Sequence, residues 1–176
     1  ETELEFLGFG TMNGKDGKPF KTRDGGVMRL ESLINDINEE MYKKIAENRT
    51  MSEEEARKTA QMVALSAMKY GDLSNQAAKD YVFDVERFIS FEGNTGPYNL
   101  YTIVRIKSIL AKYAESGKDA AKCKMKKPQT QSEKALMLEV TKFNNVIETA
   151  FEELAPHKIC AYIYDLSNAF NDIIKF

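Results

Sequence analysis

The residues best suited to chemistry lie between Gly14 and Gly26, in the run G-K-D-G-K-P-F-K-T-R-D-G-G. Four glycines, one proline, three lysines and one arginine share that stretch. Glycine opens backbone angles closed to other residues, and proline fixes one dihedral and removes a donor. The segment is therefore poor helix and poor strand, and reads as a mobile cationic loop following the short extended run Leu4-Glu5-Phe6-Leu7. Such a loop can neutralise the charge that develops on a triphosphate or pyrophosphate during transfer. It can equally be a solvated, lysine-rich surface turn. Two standard phosphate motifs are excluded. Gly17-Lys18 is followed by Pro19 where a P-loop needs Ser or Thr, and Gly8-x-Gly10 lacks the third glycine of a dinucleotide fingerprint because position 13 is Asn.

A second glycine-bearing segment, Phe91-Glu92-Gly93-Asn94-Thr95-Gly96, precedes a helix on which Tyr98, Tyr101 and Arg105 recur at spacings of three and four. A loop with an aromatic and an amide, followed by tyrosines, suits unstacked nucleic-acid bases. Rings stack on base faces, and amide or backbone groups bond base edges. The competing reading packs Tyr98 and Tyr101 under a neighbouring helix with only their hydroxyls wet.

The elements that position these residues follow from pattern. Leu30, Leu33, Ile34, Ile37, Met41 and Ile45 form one apolar stripe, predicting a helix from about 30 to 47. Ser52 with Glu55 is a capping box opening a helix lined by Ala56, Ala60, Val63, Ala64, Ala67 and Met68, which stops near Gly71. Tyr81-Val82-Phe83 reads as extended, and Asp84 caps a brief helix. Thr95 and Pro97 predict the start of the next helix, with Leu100, Ile103, Ile106, Leu110 and Tyr113 as its core face. A polar, lysine-bearing linker spans Glu115 to Gln131. Helical periodicity runs from Ser132 through Phe143, breaks at Asn144-Asn145, resumes from Val146 to Leu154, and restarts at Pro156 for a last helix carrying Ile159, Tyr162, Ile163, Leu166, Phe170 and Ile173. The helices beginning near Pro97, Ser132 and Pro156 are expected to pack as one bundle.

Composition narrows the function classes. The 176 residues are 43% hydrophobic and 30% charged, as in ordinary globular proteins. No run reaches the roughly 18 apolar residues that span a bilayer, so no membrane partner is expected. Cys123 and Cys160 are expected as free thiols of a cytoplasmic protein, with Cys160 in the core. One histidine, His157, and no CxxC pattern give no metal site. The net charge of −2 requires any nucleic-acid contact to rest on local patches. Six of ten glycines lie in the first 26 residues, and the chain opens at Glu1 and closes at Phe176 within a helical pattern. These features read as cuts through a larger protein.

Taken together, the motifs resemble one family. Gly14-Lys-Asp-Gly-Lys-Pro-Phe-Lys-Thr-Arg-x-Gly-Gly leading into a helix is similar to the signature-loop region of bacterial arginyl-tRNA synthetases. Gly71-Asp-Leu-Ser, Asp80-Tyr-Val-Phe-Asp, Phe91-Glu-Gly-Asn-Thr-Gly-Pro-Tyr98 with Tyr101 and Arg105, and Pro156-His157-x-x-Cys160-x-Tyr-x-Tyr-Asp165-Leu166 follow in family order.

The resemblance implies a mainly α fold: a helical bundle preceded by the end of an α/β catalytic domain. Residues 1–29 would be the tail of that domain, 30–91 a helical junction, and 92–176 an anticodon-binding bundle. It further implies an ATP-dependent, magnesium-assisted ligase joining arginine to arginine-specific tRNA in protein biosynthesis. The KMSKS motif of class I enzymes matches Pro19-Phe20-Lys21-Thr22-Arg23, with Thr22 in place of the second lysine. Lys21 and Arg23 are the expected catalytic cations, with Lys18 in support. Phe91, Asn94, Tyr98, Tyr101 and Arg105 are the expected tRNA-binding set. The HIGH motif needs two histidines, so this chain alone is expected to be inactive. His157 and Asp165 are expected as local polar contacts. The alternative is a non-catalytic helical module, contacting RNA or protein, on the same architecture.

Overall fold

A computed structural model describes residues 2, 4, 6–19, 30–47 and 51–174. Among the described residues there are seven α-helices, α1 Leu30–Ala46, α2 Glu53–Leu73, α3 Val85–Phe88, α4 Gly96–Glu115, α5 Gln131–Thr141, α6 Phe143–Glu152 and α7 Pro156–Ile174, and a 3-10 turn at Ala120–Lys122. Two short strands, β1 Met12–Asn13 and β2 Tyr81–Val82, pair in parallel with Met12 opposite Tyr81. Among the described residues there is no strand beyond β2, and no helix is long and apolar enough to cross a membrane.

The helix starts obey local chemistry. Ser52 Oγ accepts from Glu55 N, and the Glu55 carboxylate accepts from Ser52 N at 3.1 Å, closing the box read from the sequence. Asp84 caps α3 through the backbone N–H groups of Glu86 and Arg87. Thr95 caps α4, with Pro97 in the first turn. Thr130, two residues before the expected Ser132, caps α5 in a second box with Glu133. The break between α5 and α6 falls at Lys142, ahead of the expected Asn144-Asn145, which continue the helix. Between α6 and α7 the backbone N–H of Ala155 reaches the Ala150 carbonyl at 2.8 Å, and that of Leu154 reaches Phe151 at 3.2 Å. This is a Schellman turn with Leu154, φ 51°, in the left-handed position that usually takes glycine.

The strand expectation moves. Leu4, Phe6 and Leu7 are exposed and unpaired, and the extended pairing begins at Met12, where Tyr81 supplies a ladder partner. The α1 stripe is borne out from Leu33 onward, Leu30 being 66% exposed. Ile37 and Met41, 1% and 0% exposed, pack with Leu33 against the small residues Ala60, Ala64 and Ala67 of α2. Phe83 and Phe88 close that core edge to face, with ring centroids 4.8 Å apart.

The second half packs around α7, which meets α2, α4, α5 and α6. Its buried positions include Cys160 and Tyr162, as expected, and also Ser167 and Asn171. Cys123 is exposed, and both cysteines are free. The α4 expectation holds only in part. Ile103 and Leu110 are 47% and 48% exposed, while Thr95, Asn99 and Thr102 are buried. Of the expected face, Leu100, Ile106 and Tyr113 are half-buried, and the side bearing Asn99 and Thr102 is the more deeply buried one, with Thr102 docked on α7. His157 departs too, because its buried Nδ1 has no hydrogen-bond partner.

Candidate nucleic-acid interface

The loop before α4 is shaped by a few backbone requirements. Gly93 sits at φ +77°, in the left-handed region that side chains rarely adopt. Thr95 Oγ1 donates to the Ser90 carbonyl at 2.6 Å, and the Thr95 N–H donates to the Gly93 carbonyl at 3.0 Å. Gly96 lets α4 approach α2 closely: a Cβ there would stand 2.5 Å from the Ser66 carbonyl oxygen. The loop is thus held at both ends, and Phe91, 42% exposed, and exposed Asn94 project from it.

Behind the loop, α4 and α7 meet through hydrogen bonds. Asn171 Nδ2 donates to the Tyr98 hydroxyl and to Thr102 Oγ1, each at 3.0 Å. Arg105 Nη1 donates to Asn171 Oδ1 at 3.0 Å. The Tyr98 hydroxyl donates to Asn168 Oδ1 at 2.7 Å, and Thr102 Oγ1 donates to the Tyr98 carbonyl. Both Asn171 Nδ2 protons and its Oδ1 are used, so this buried amide is satisfied. The Tyr98 ring also lies 5.6 Å from that of Tyr164. Asn99, 6% exposed, is the exception: its amide makes no well-aligned hydrogen bond among the described residues, although it lies near enough to the Tyr70 phenol to lower that group's pKa against the larger effect of burial. From α2, the phenol oxygen of Tyr70 meets Asn94 Oδ1 at 2.6 Å and the Cys160 carbonyl at 2.7 Å.

The expected tRNA set therefore divides. Phe91, Asn94 and Tyr101, the last 52% exposed, face outward. The Arg105 guanidinium lies 5.7 Å from the Tyr101 ring centroid, within cation–π range, while anchored to Asn171. Tyr98 is half-buried with its hydroxyl fully engaged, so it holds the surface from below. The sequence reading missed Tyr70, Thr102, Asn168 and Asn171. A signal existed for some: Thr95, Asn99 and Thr102 form a polar stripe at helical spacing, as do Asn168 and Asn171.

Of the cationic loop, the part through Pro19 is described, and it turns tightly. Gly14 N–H donates to the Lys18 carbonyl, and Gly17, at φ +73°, closes back on Gly14. Lys15 is spent on structure, bridging Asp84 at 3.3 Å and Glu86 at 3.0 Å. The hydrogen bond to Glu86 holds its ammonium above the ordinary lysine range. Lys18 is exposed, its N–H donating to Asp16 Oδ1. Lys21, Thr22 and Arg23 lie outside the described residues. Among the described residues no group of three or more His, Cys, Asp or Glu is placed to hold a metal ion.

Comparison with known proteins joins the two halves. Residues 1–85 match the family model of tRNA synthetases class I (R), catalytic domain, and residues 99–175 match the DALR anticodon binding domain. The chain belongs to the arginyl-tRNA synthetase family. It is 64% identical over 178 aligned residues to the arginine–tRNA ligase of Agathobacter rectalis, covering 97% of this chain and 30% of that protein. To the corresponding ligase of Alkaliphilus oremlandii it is 56% identical, covering 96% of this chain and 28% of that protein. The chain thus spans under a third of the length of these curated relatives. The solved Thermus thermophilus arginyl-tRNA synthetase superposes with a TM-score of 0.76 at 25% identity, covering 94% of this chain and 26% of that one. That of Plasmodium falciparum, at 22% identity and a TM-score of 0.73, covers 96% and 28%, and shares the fold. The interface loop lies in the gap between the two matched stretches, residues 86–98, and the α4–α7 seam, Tyr98 apart, lies within the second.

Proposed function

We propose that this chain is the tRNA-reading part of an arginine–tRNA ligase acting in the cytoplasm, with residues 92–176 as the anticodon-binding bundle and 30–91 as the junction. Residues 1–29 belong to the catalytic side, where Lys21 and Arg23, with Lys18 and Thr22, stabilise the pyrophosphate that leaves magnesium-bound ATP as arginine is activated. The observation that carries this reading is the exposure of Phe91, Asn94 and Tyr101 beside Arg105, above a seam that fixes their positions.

The division of labour follows from chemistry. The rings of Phe91 and Tyr101 offer faces on which any base can stack, at about 1–3 kcal/mol per base. Arg105 neutralises backbone phosphate, and Asn94 offers an amide to a base edge. Tyr98 keeps Arg105 and the first turn of α4 in place.

The test titrates arginine-specific tRNA and an anticodon-substituted tRNA against variants of the full-length enzyme. Tyr101→Ala is expected to weaken both by about 1–3 kcal/mol. Arg105→Ala flattens the salt dependence of binding. Asn94→Ala brings the two affinities together. Unchanged binding of both RNAs in all three variants would remove the RNA assignment.

A further inference from the structure

The two contacts of the Tyr70 phenol pose a proton-counting problem. Its oxygen lies 2.6 Å from Asn94 Oδ1 and 2.7 Å from the Cys160 carbonyl oxygen. Oxygens that close need a proton on each line, and a phenol carries one. Burial pushes the pKa of this phenol up to about 12, so it stays protonated at physiological pH and acts as a single donor. The Cys160 carbonyl has no hydrogen to give. The Asn94 carboxamide does, because a half-turn about its last bond exchanges C=O and NH2 ends of nearly equal size.

One arrangement supplies a proton to both contacts. Tyr70 donates to the Cys160 carbonyl, and Asn94 Nδ2 donates to the Tyr70 oxygen. Asn94 Oδ1 then turns away from Tyr70 toward the exposed side of the loop. The backbone beneath is already fixed by Thr95 on Ser90 and by the left-handed Gly93, so amide orientation is the freedom that Tyr70 removes.

We infer that Tyr70 is a positioning residue for base discrimination: it locks the Asn94 amide with Nδ2 inward and Oδ1 outward, so that the loop takes a base presenting an amino donor. This rests on the reading that the loop faces RNA. Adenine and cytosine carry such an amino group, and their deaminated counterparts, hypoxanthine and uracil, present an acceptor in its place. Two acceptors facing each other repel, so the lock rejects the deaminated base as well as favouring the amino base.

The experiment uses the full-length enzyme and arginine-specific tRNA transcripts in which each amino-bearing anticodon-loop base is replaced in turn by its deaminated counterpart. Wild type is expected to lose about five- to tenfold in affinity at one such position, the worth of one hydrogen bond. Asn94→Ala is expected to erase that ratio. Tyr70→Phe is expected to cut it to about twofold or less while binding unmodified tRNA within about threefold of wild type. In protein labelled with 15N-asparagine, the Asn94 side-chain amide, assigned by its loss in Asn94→Ala, should be protected from solvent exchange in wild type and unprotected in Tyr70→Phe. A ratio that survives Asn94→Ala overturns the loop as a base reader. A ratio erased by Asn94→Ala but kept in Tyr70→Phe overturns the role of Tyr70 and leaves the reader standing. Should Tyr70→Phe fail to fold, the wild-type amide decides, and exchange at the solvent rate sinks the inference.

Discussion

The α1–α2 seam and the α4–α7 seam hold the molecule by opposite means. In the first, Leu33, Ile37 and Met41 drop onto the alanines of α2, and the gain is burial of apolar surface. In the second, Asn171 reaches Tyr98, Thr102 and Arg105 through directed hydrogen bonds. An apolar seam tolerates small slips, because a methyl group has no preferred partner. A hydrogen-bonded seam does not, because a shift of one turn would leave buried polar groups unpaired at about 1–3 kcal/mol each. The tight register lies directly under the residues assigned to RNA.

Substitution separates the two. Ile37→Ala should cost about 2–5 kcal/mol in chemical unfolding, since it empties a site that is 1% exposed. Ile37→Val should cost only about 0.5–1.5 kcal/mol. At the other seam, Asn171→Ala should cost about 1–3 kcal/mol by orphaning its partners. Asn171→Leu should recover none of that, although it restores bulk. Recovery by leucine would mean that the second seam is also held by packing. The smallest effect should be at the α6–α7 corner. Leu154→Gly relieves a left-handed backbone and should raise the melting temperature, by at most about 1 kcal/mol of added stability.

The contrast also explains what the sequence could and could not disclose. The α1 stripe, the Ser52 and Thr95 caps, the Asp84 cap and the Pro156 start are each written within a few neighbouring residues, and each stands where it was expected. Periodicity in α4 misled in part, because it reports which face is apolar and not whether a partner covers that face. The polar face docks, and its logic depends on Asn171, 69 residues beyond Thr102. For the same reason Tyr98 and Tyr101, equivalent in the sequence pattern, differ in the fold: one is tied to Asn168 and Asn171, and the other is 52% exposed. Lys18, the expected supporting cation that falls among the described residues, is exposed, whereas Lys15 of the same loop is held by Asp84 and Glu86.

The Tyr70 phenol spans 90 residues of chain to reach the Cys160 carbonyl. At roughly 5–20 residues per second on the ribosome, its partner emerges about 5–18 s after it does. The α1–α2 pair can assemble in that interval from its own alanine seam, with the phenol hydrated. The loop carrying Asn94 emerges in the same interval, with its amide free to turn. Completion of α7 then fixes the phenol and the loop together, so a helix made well after the loop is the one that makes the proposed RNA-facing surface definite.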